Sequence, residues 1–175
     1  MLAVAWLTLL ACALAGCTGA GPAWRHEPVT VEEAGKALAW AMTQLGAPYL
    51  WGGREPPAFD SSGIITWSYR QALGVLQLRY ENQVVNDLPH RYIYRWNFQP
   101  LSLEELVPGD LVYITNGTAE VTHGAMFVRW IEPYTVMEFL DASSRQQKVV
   151  IQPWPVHEEV QGQRFVAAGR LKVVR

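Results

Sequence analysis

The chain has 175 residues, half of them apolar and 17% charged, and its formal net charge is −2. This length suits one domain with its own core, and the apolar content excludes a disordered chain. The nearly neutral charge excludes a basic surface of the kind that binds nucleic acid, so we expect no nucleic-acid partner.

The N-terminal segment, residues 1–16, is an uncharged apolar run that ends in Leu-Ala-Gly before Cys17. A short apolar stretch closed by small residues is typical of a secretory signal peptide. The ending is similar to a bacterial lipobox, whose cysteine is lipidated and becomes the first mature residue. The alternatives are a buried helix or a membrane span, for which this run is short. We expect a signal peptide over residues 1–16 and a lipidated Cys17 with a tether over residues 17–28, although no Lys or Arg precedes the apolar run.

The two cysteines of the chain both lie in this N-terminal segment. Cys12 falls inside the expected signal peptide, so residues 29–175 contain no thiol nucleophile, no disulfide and no cysteine-based metal site. The residue after Cys17 is Thr18 rather than Asp, which favours an outer-membrane anchor facing the periplasm if the cell is Gram-negative.

A first helix is expected after residue 30. Thr30 and Glu33 have the spacing of a capping box, in which each side chain bonds the backbone amide of the other residue. Apolar residues then recur at helical spacing, and Gly46 is placed to end the helix.

A second helix is predicted over residues 62–73. Asp60 or Ser61 stands near its N-cap, where short polar side chains accept from backbone amides, and Gly74 stands at its end.

The rest of the chain favours strands. Between residues 75 and 107 an aromatic cluster alternates as a strand would, but it could equally be a packed loop: Tyr92, Tyr94, Trp96 and Phe98. Runs rich in Val, Ile, Phe and Tyr then predict strands over residues 111–115, 124–131, 136–140, 149–152 and 165–174. Helices followed by strands indicate a single α+β domain over residues 29–175, with N-terminal helices packed on an antiparallel sheet.

Several short motifs occur in an informative order. They are Tyr-Leu-Trp-Gly-Gly at residues 49–53, Phe-Asp-Ser-Ser-Gly at 59–63, Pro-Gly-Asp-Leu at 108–111, His123 at the start of a strand, and Asp141 one strand later. Together they resemble the NlpC-type cell-wall peptidases, a papain-like family that cleaves stem peptides of peptidoglycan. The resemblance covers nearly the whole mature chain, but Ser61 stands where the family has its catalytic cysteine.

The resemblance implies roles for individual residues. Ser61 is at the nucleophile position, His123 at that of the base and Asp141 at that of the orienting residue, where the family usually has His, Asn or Gln. Tyr49, with Trp51, Asp60 and Ser62, would contact the substrate. It implies no cofactor and no metal, and no metal-ligand spacing joins the remaining histidines, which fall outside the motifs: His26, His90 and His157.

Each of these residues also has a purely structural interpretation. Ser61 can be a helix cap, His123 a strand histidine bonded to backbone, and Asp141 the cap of a turn. Tyr49 and Trp51 can be core aromatics. The joint order of the motifs is what favours a functional site.

Two functions stay open at this stage. In the first, the domain binds peptidoglycan stem peptides or other envelope components and is weakly active or inactive as a hydrolase, because serine lacks the ready thiolate of cysteine. In the second, Ser61, His123 and Asp141 form an active serine variant of a murein endopeptidase or amidase. An engineered inactivating change at residue 61 ranks below both.

Overall fold

A computed structural model describes residues 24–118 and 120–175. The expected signal peptide, the lipidated Cys17 and most of the expected tether lie outside the described residues. No helix within the described part is both long enough and apolar enough to cross a membrane.

Three α-helices occupy the first half of the domain: α1 (Val31–Met42), α2 (Ser61–Leu73) and α3 (His90–Trp96). The capping box predicted for α1 is present, since Glu33 N donates to Thr30 Oγ1 and Thr30 N donates to Glu33 Oε2. The polar residue before α2 caps it as predicted, and Gly74 follows its last residue with a φ of 75°.

The strands are β1 (His26–Pro28), β2 (Arg54–Glu55), β3 (Ala58–Phe59), β4 (Leu78–Tyr80), β5 (Gln83–Val85), β6 (Phe98–Pro100), β7 (Leu111–Thr115), β8 (His123–Glu132), β9 (Val136–Ser143), β10 (Lys148–Pro155) and β11 (Arg164–Val174). The main sheet runs in the order β1-β11-β7-β8-β9-β10, with β6 also paired to β11. All of its pairs are antiparallel, which confirms the predicted fold class. The pairs β2–β3 and β4–β5 form two small separate sheets.

The structure differs from the sequence-based expectation in three places. Helix α1 ends at Met42, a turn before Gly46, and a chain of turns connects the two. Tyr92, Tyr94 and Trp96 belong to helix α3, so neither a strand nor a packed loop is right for them, whereas Phe98 lies in strand β6. Strand β1 lies inside the segment expected to be a tether and pairs with β11.

Helix α2 is the element that joins the helical layer to the sheet. It packs against α1 on one side and against β8 and β9 on the other. Its buried residues Ile64 and Ile65 belong to the same core cluster as Met126 and Leu140 of those strands. The first turn of α2 is thereby placed close to the N-terminal end of β8.

Candidate active site

The start of α2 presents Ser61 to the surface, at the edge of a cleft. Asp60 is the N-cap residue, and its Oδ1 accepts a hydrogen bond of 2.7 Å from the Gly63 amide. Ser61 is the first helical residue and is partly exposed, whereas the next residues of the helix are buried. A helix N-terminus carries unpaired amides and positive potential, so a nucleophile or a developing oxyanion placed there is stabilised.

The side chains of Asp60 and Ser62, which the resemblance placed in contact with substrate, make hydrogen bonds within the protein. Asp60 Oδ2 accepts from the Gly52 amide at 3.0 Å, and Asp60 Oδ1 accepts from Arg54 at 2.8 Å and from the Ser62 hydroxyl at 3.0 Å. Arg54 also donates to Ser62 Oγ at 2.6 Å. Both side chains are nearly buried. They hold the loop at Gly52 against the start of α2, which is a structural role.

Arg54 links this network to the segment that precedes α3. Its Nε lies 3.1 Å from Asp87 Oδ2, and Asp87 Oδ1 accepts from the Thr66 hydroxyl at 3.0 Å. A guanidinium between two carboxylates, one of them almost buried, fixes both loops that border Ser61.

His123 and Asp141 are joined directly, as the resemblance implies. His123 Nε2 lies 2.8 Å from Asp141 Oδ2, and the Asp141 side chain is only 1% exposed. An ionised carboxylate can only accept, so His123 Nε2 carries the proton and its Nδ1 is left as the acceptor when the ring is neutral. Gln152 donates to Asp141 Oδ1 at 2.9 Å and accepts from Gln146 at 2.8 Å. The carboxylate is therefore held at both oxygens.

Ser61, however, is bonded to a different histidine. A hydrogen bond of 2.9 Å joins Ser61 Oγ to Nε2 of His90, the first residue of α3. Within the described part of the chain, no hydrogen bond joins Ser61 to His123. His90 lies outside the motifs in the sequence, and the structure brings its ring to the side chain at the nucleophile position.

His90 is enclosed by the protein. Its side chain is 7% exposed, and its ring stands edge-on to the rings of Tyr113 and His123, with centroids 5.8 and 6.0 Å away. Burial, then the neighbouring His123 and Arg54, lower the pKa of His90 well below its usual range, so the ring is neutral. Among the described residues, its Nδ1 has no hydrogen-bond partner. The ring rests on Gly124, where a Cβ would lie 2.5 Å from Nδ1.

The predicted site residues other than Tyr49, which lines neither pocket, are thus divided between two pockets. Ser61 and His90 line one of them, together with Trp51 and Arg54. His123 and Asp141 line the other, which is completed by polar residues of β9, β10 and the connecting loops. The rings of His90 and His123, one from each pocket, stand edge-on with their centroids 6.0 Å apart.

Tyr49 and Trp51, the aromatics of the first motif, differ in exposure. Tyr49 is partly buried, and burial together with the charge of Asp60 raises the pKa of its phenol. Trp51 is 85% exposed on the rim of the Ser61 pocket, so it is no core aromatic. In residues 24–118 and 120–175, no cluster of three or more His, Cys, Asp or Glu side chains could hold a metal ion.

The domain has a polar side chain at the nucleophile position of a helix start, and that helix packs on an antiparallel sheet that carries a histidine–carboxylate pair. This is the arrangement of a papain-like α+β domain of the hydrolase type. The family model of the NlpC/P60 family matches residues 46–170, and the chain belongs to this family. The resemblance stated from the motifs is confirmed.

Similar proteins have been named in bacteria and in a protist. The chain is 34% identical over 88 residues to a probable endopeptidase of Mycobacterium tuberculosis, an alignment that covers 50% of this chain and 19% of the relative. It is 33% identical over 94 residues to murein DD-endopeptidase MepH of Escherichia coli, covering 53% and 32%. The fold matches NlpC1 of Trichomonas vaginalis with a TM-score of 0.60 at 19% identity, covering 83% and 46%. The chain therefore spans about a fifth to a half of these proteins.

Proposed function

We propose that this chain is a lipid-anchored domain of the bacterial cell envelope that binds peptidoglycan stem peptides at Ser61 and hydrolyses them weakly or not at all. Membership of the NlpC/P60 family supports the substrate class, as does the likeness to a relative named for murein endopeptidase activity. The pocket in front of Ser61, with the exposed Trp51 on its rim, supports peptide binding. Other envelope components are the competing ligands.

The observation that carries the weak-turnover part is the separation of Ser61 from the His123–Asp141 pair. In a cysteine enzyme the helix N-terminus and a histidine can hold the nucleophile as a thiolate, because a thiol has a pKa near 8.5. An alcohol cannot be ionised in this way and must hand its proton to a base during attack. The hydroxyl of Ser61 is bonded to His90, whose Nδ1 has no partner among the described residues, and not to the histidine that Asp141 orients.

The test compares the native chain with Ser61→Cys and Ser61→Ala on defined murein peptides. Calorimetry should show binding by all three, with Kd values within about threefold, because residue 61 is a small part of the cleft. Chromatography of the products should show turnover that is far higher in Ser61→Cys than in the native chain and absent from Ser61→Ala. A native chain that binds no murein peptide would contradict the substrate class.

A second candidate function is supported by the His123–Asp141 hydrogen bond. That bond leaves Nδ1 of a neutral His123 free to accept a proton, which is the arrangement a serine hydrolase requires of its histidine. On this alternative Ser61, His123 and Asp141 form an active serine variant of a murein endopeptidase or amidase. Substantial native turnover that disappears in Ser61→Ala and is not improved in Ser61→Cys would establish it.

The lipid anchor is a separate part of the proposal. It is supported by the Leu-Ala-Gly-Cys ending at Cys17. Feeding cells a clickable fatty-acid analogue should label the native chain but not Cys17→Ala, and membrane fractionation should then place the native chain in the outer membrane of a Gram-negative host. Cys12→Ala is the matched control and should still be labelled. Equal labelling of native chain and Cys17→Ala would contradict the anchor.

A further inference from the structure

We propose that His90, not His123, is the catalytic base of Ser61. The inference deepens the proposed function, on which it depends for the substrate class only. Ser61 of α2 and His90 of α3 form a dyad that accounts for the weak serine reactivity of the site. His123 and Asp141 take no part in activating the nucleophile.

The Ser61–His90 contact has the geometry of a nucleophile and its base when the neutral ring carries its proton on Nδ1, so that Nε2 accepts from the Ser61 hydroxyl. The distance of 2.9 Å from Ser61 Oγ to His90 Nε2 lies within hydrogen-bond reach, which is the first requirement for general-base catalysis. His90 touches the reacting oxygen itself. Both partners are held firmly, since Asp60 caps the helix at Ser61 and the His90 ring rests on Gly124.

The charges around His90 keep its ring in the form that can accept a proton. A buried imidazole with cationic neighbours is neutral, and a serine, unlike a cysteine thiolate, requires a neutral base. On β2, Arg54 favours the neutral ring, and on β8, His123 does the same. The other ionisable groups that line the pocket are Asp60, Arg91 and Glu120, and the ring of Tyr113 stands against that of His90.

The chemical step follows from this arrangement. Ser61 Oγ attacks the carbonyl carbon of a peptide bond, and the hydroxyl proton passes to His90 Nε2. The carbon–nitrogen bond of the tetrahedral intermediate then breaks, and the leaving amine takes that proton from His90. Water hydrolyses the resulting ester, giving the carboxylic acid and restoring Ser61.

The same geometry accounts for slow turnover. When His90 accepts the proton, its Nδ1 also carries one, and no acceptor among the described residues meets that atom. In a complete triad a carboxylate stabilises the imidazolium. Here the carboxylate, Asp141, is bonded to the other histidine, so the charged form of His90 stays buried without compensation.

The experiment uses a fluorophosphonate, which reacts with activated serines without requiring the natural substrate. Ser61 Oγ forms a bond to phosphorus, fluoride leaves, and the hydroxyl proton passes to the base. The full chain should be labelled at Ser61, and Ser61→Ala should not be labelled. His90→Gln should lower the labelling rate by about 100-fold or more, because an amide can hold the hydrogen bond but cannot take the proton.

Two controls separate the histidines. His123→Gln should lose far less of the labelling rate than His90→Gln loses. His157→Gln changes an exposed histidine that lines neither pocket and should be labelled within about threefold of the native rate. A large loss in His123→Gln with a normal rate in His90→Gln would overturn the proposal. So would a native Ser61 that is not labelled at all, an outcome that leaves murein-peptide binding to be judged by its own calorimetry.

If His90→Gln does not fold, the pH dependence of the labelling rate of the native chain tests the assignment of His90 as the base. A base that is neutral because it is buried keeps the labelling rate unchanged as the pH falls through 6.5, the value of an ordinary histidine. The rate should decline only at lower pH. A half-maximal rate at pH 6.5 or above would overturn the assignment of His90.

Discussion

Gly63 is in such close contact with Gly53 that it cannot carry a side chain without displacing the Gly53 backbone. A Cβ on Gly63 would lie 1.9 Å from the carbonyl oxygen of Gly53, and a Cβ on Gly53 would lie 2.6 Å from the carbonyl oxygen of Ala58. These two glycines come from the motifs on either side of β2 and β3. Their contact brings the loop after Tyr49 against the first turn of α2 and so shapes the cleft at Ser61.

Gly63→Ala should therefore destabilise the domain and displace the start of α2. The added methyl group meets backbone rather than a flexible side chain, so the structure must move, and we expect a loss of about 2–3 kcal/mol in the free energy of unfolding. Denaturant unfolding followed by circular dichroism measures it.

Gly35→Ala is the matched control for that substitution. Gly35 also lies inside a helix, α1, but apart from its chain neighbours and the backbone of its own helix nothing lies within 4 Å of its added Cβ. Because alanine has the higher helix propensity, this variant should gain about 0.5–1 kcal/mol. Losses of equal size in both variants would show that the contact with Gly53 does not limit residue 63.

Asp110→Asn should be among the most damaging polar substitutions in the domain. Asp110 is fully buried, accepts two hydrogen bonds from Arg170 at 2.8 and 3.0 Å, and accepts another from the Val107 amide. Removing one partner of such a pair leaves an uncompensated charge, at a cost of about 3 kcal/mol or more. Glu138→Gln, which breaks the exposed pair with Arg129, should change the free energy of unfolding by less than about 1 kcal/mol.

The stability of the domain should fall as the pH drops below 6.5. The pKa of His90 is lowered in the folded chain, so between that value and 6.5 the unfolded chain binds a proton that the folded chain does not. The contribution of His90 to the free energy of unfolding is therefore fully present above pH 6.5. It decreases as the pH falls, by at most about 1.4 kcal/mol per pH unit. Thermal unfolding at pH 7.0, 6.0 and 5.0 measures the decrease.

His90→Gln should remove a part of that pH dependence, because glutamine does not titrate. His26 contributes in the same direction, since burial and then the charge of Lys172 lower its pKa, and His26→Gln should remove a further part. His157→Gln, at an exposed position, is the control. A pH dependence between 7 and 5 that is identical in the native chain and in His90→Gln would contradict a neutral, buried His90.

Local signals explain which parts of the fold could be predicted from the sequence. The capping box at Thr30 and the Asp60 cap depend on residues three apart, so their sequence spacing was enough. Helix α3 has no such signal, because Pro89 precedes it without a side-chain cap and its aromatic residues alternate as in a strand. Its conformation depends on tertiary packing, such as the contact between the rings of Tyr94 and Tyr113.

The residues of the candidate site also differ in whether the sequence could predict their positions. The motifs predicted that Ser61 starts a helix and that His123 lies beside Asp141, because these positions follow from the order of elements in the family. His90 lies 29 residues from Ser61, in the segment whose structure the sequence left open, and no motif includes it. The packing of α3 against β4 and β6, and the contact of the His90 ring with Gly124, place that ring beside Ser61.

Trp51→Ala should weaken peptide binding without changing stability. Trp51 is 85% exposed on the rim of the Ser61 pocket, so its removal costs the fold almost nothing, within about 0.5 kcal/mol. An exposed aromatic ring beside a cleft is the type of side chain that dominates binding energy, and we expect the Kd for murein peptides to rise at least about tenfold. Trp40→Ala should lower the stability of the domain and leave the Kd unchanged, because Trp40 packs edge-on against Trp67 on α2, outside the pocket. Calorimetry and denaturant unfolding on both variants check this, and an unchanged Kd in Trp51→Ala would place the peptide elsewhere on the domain.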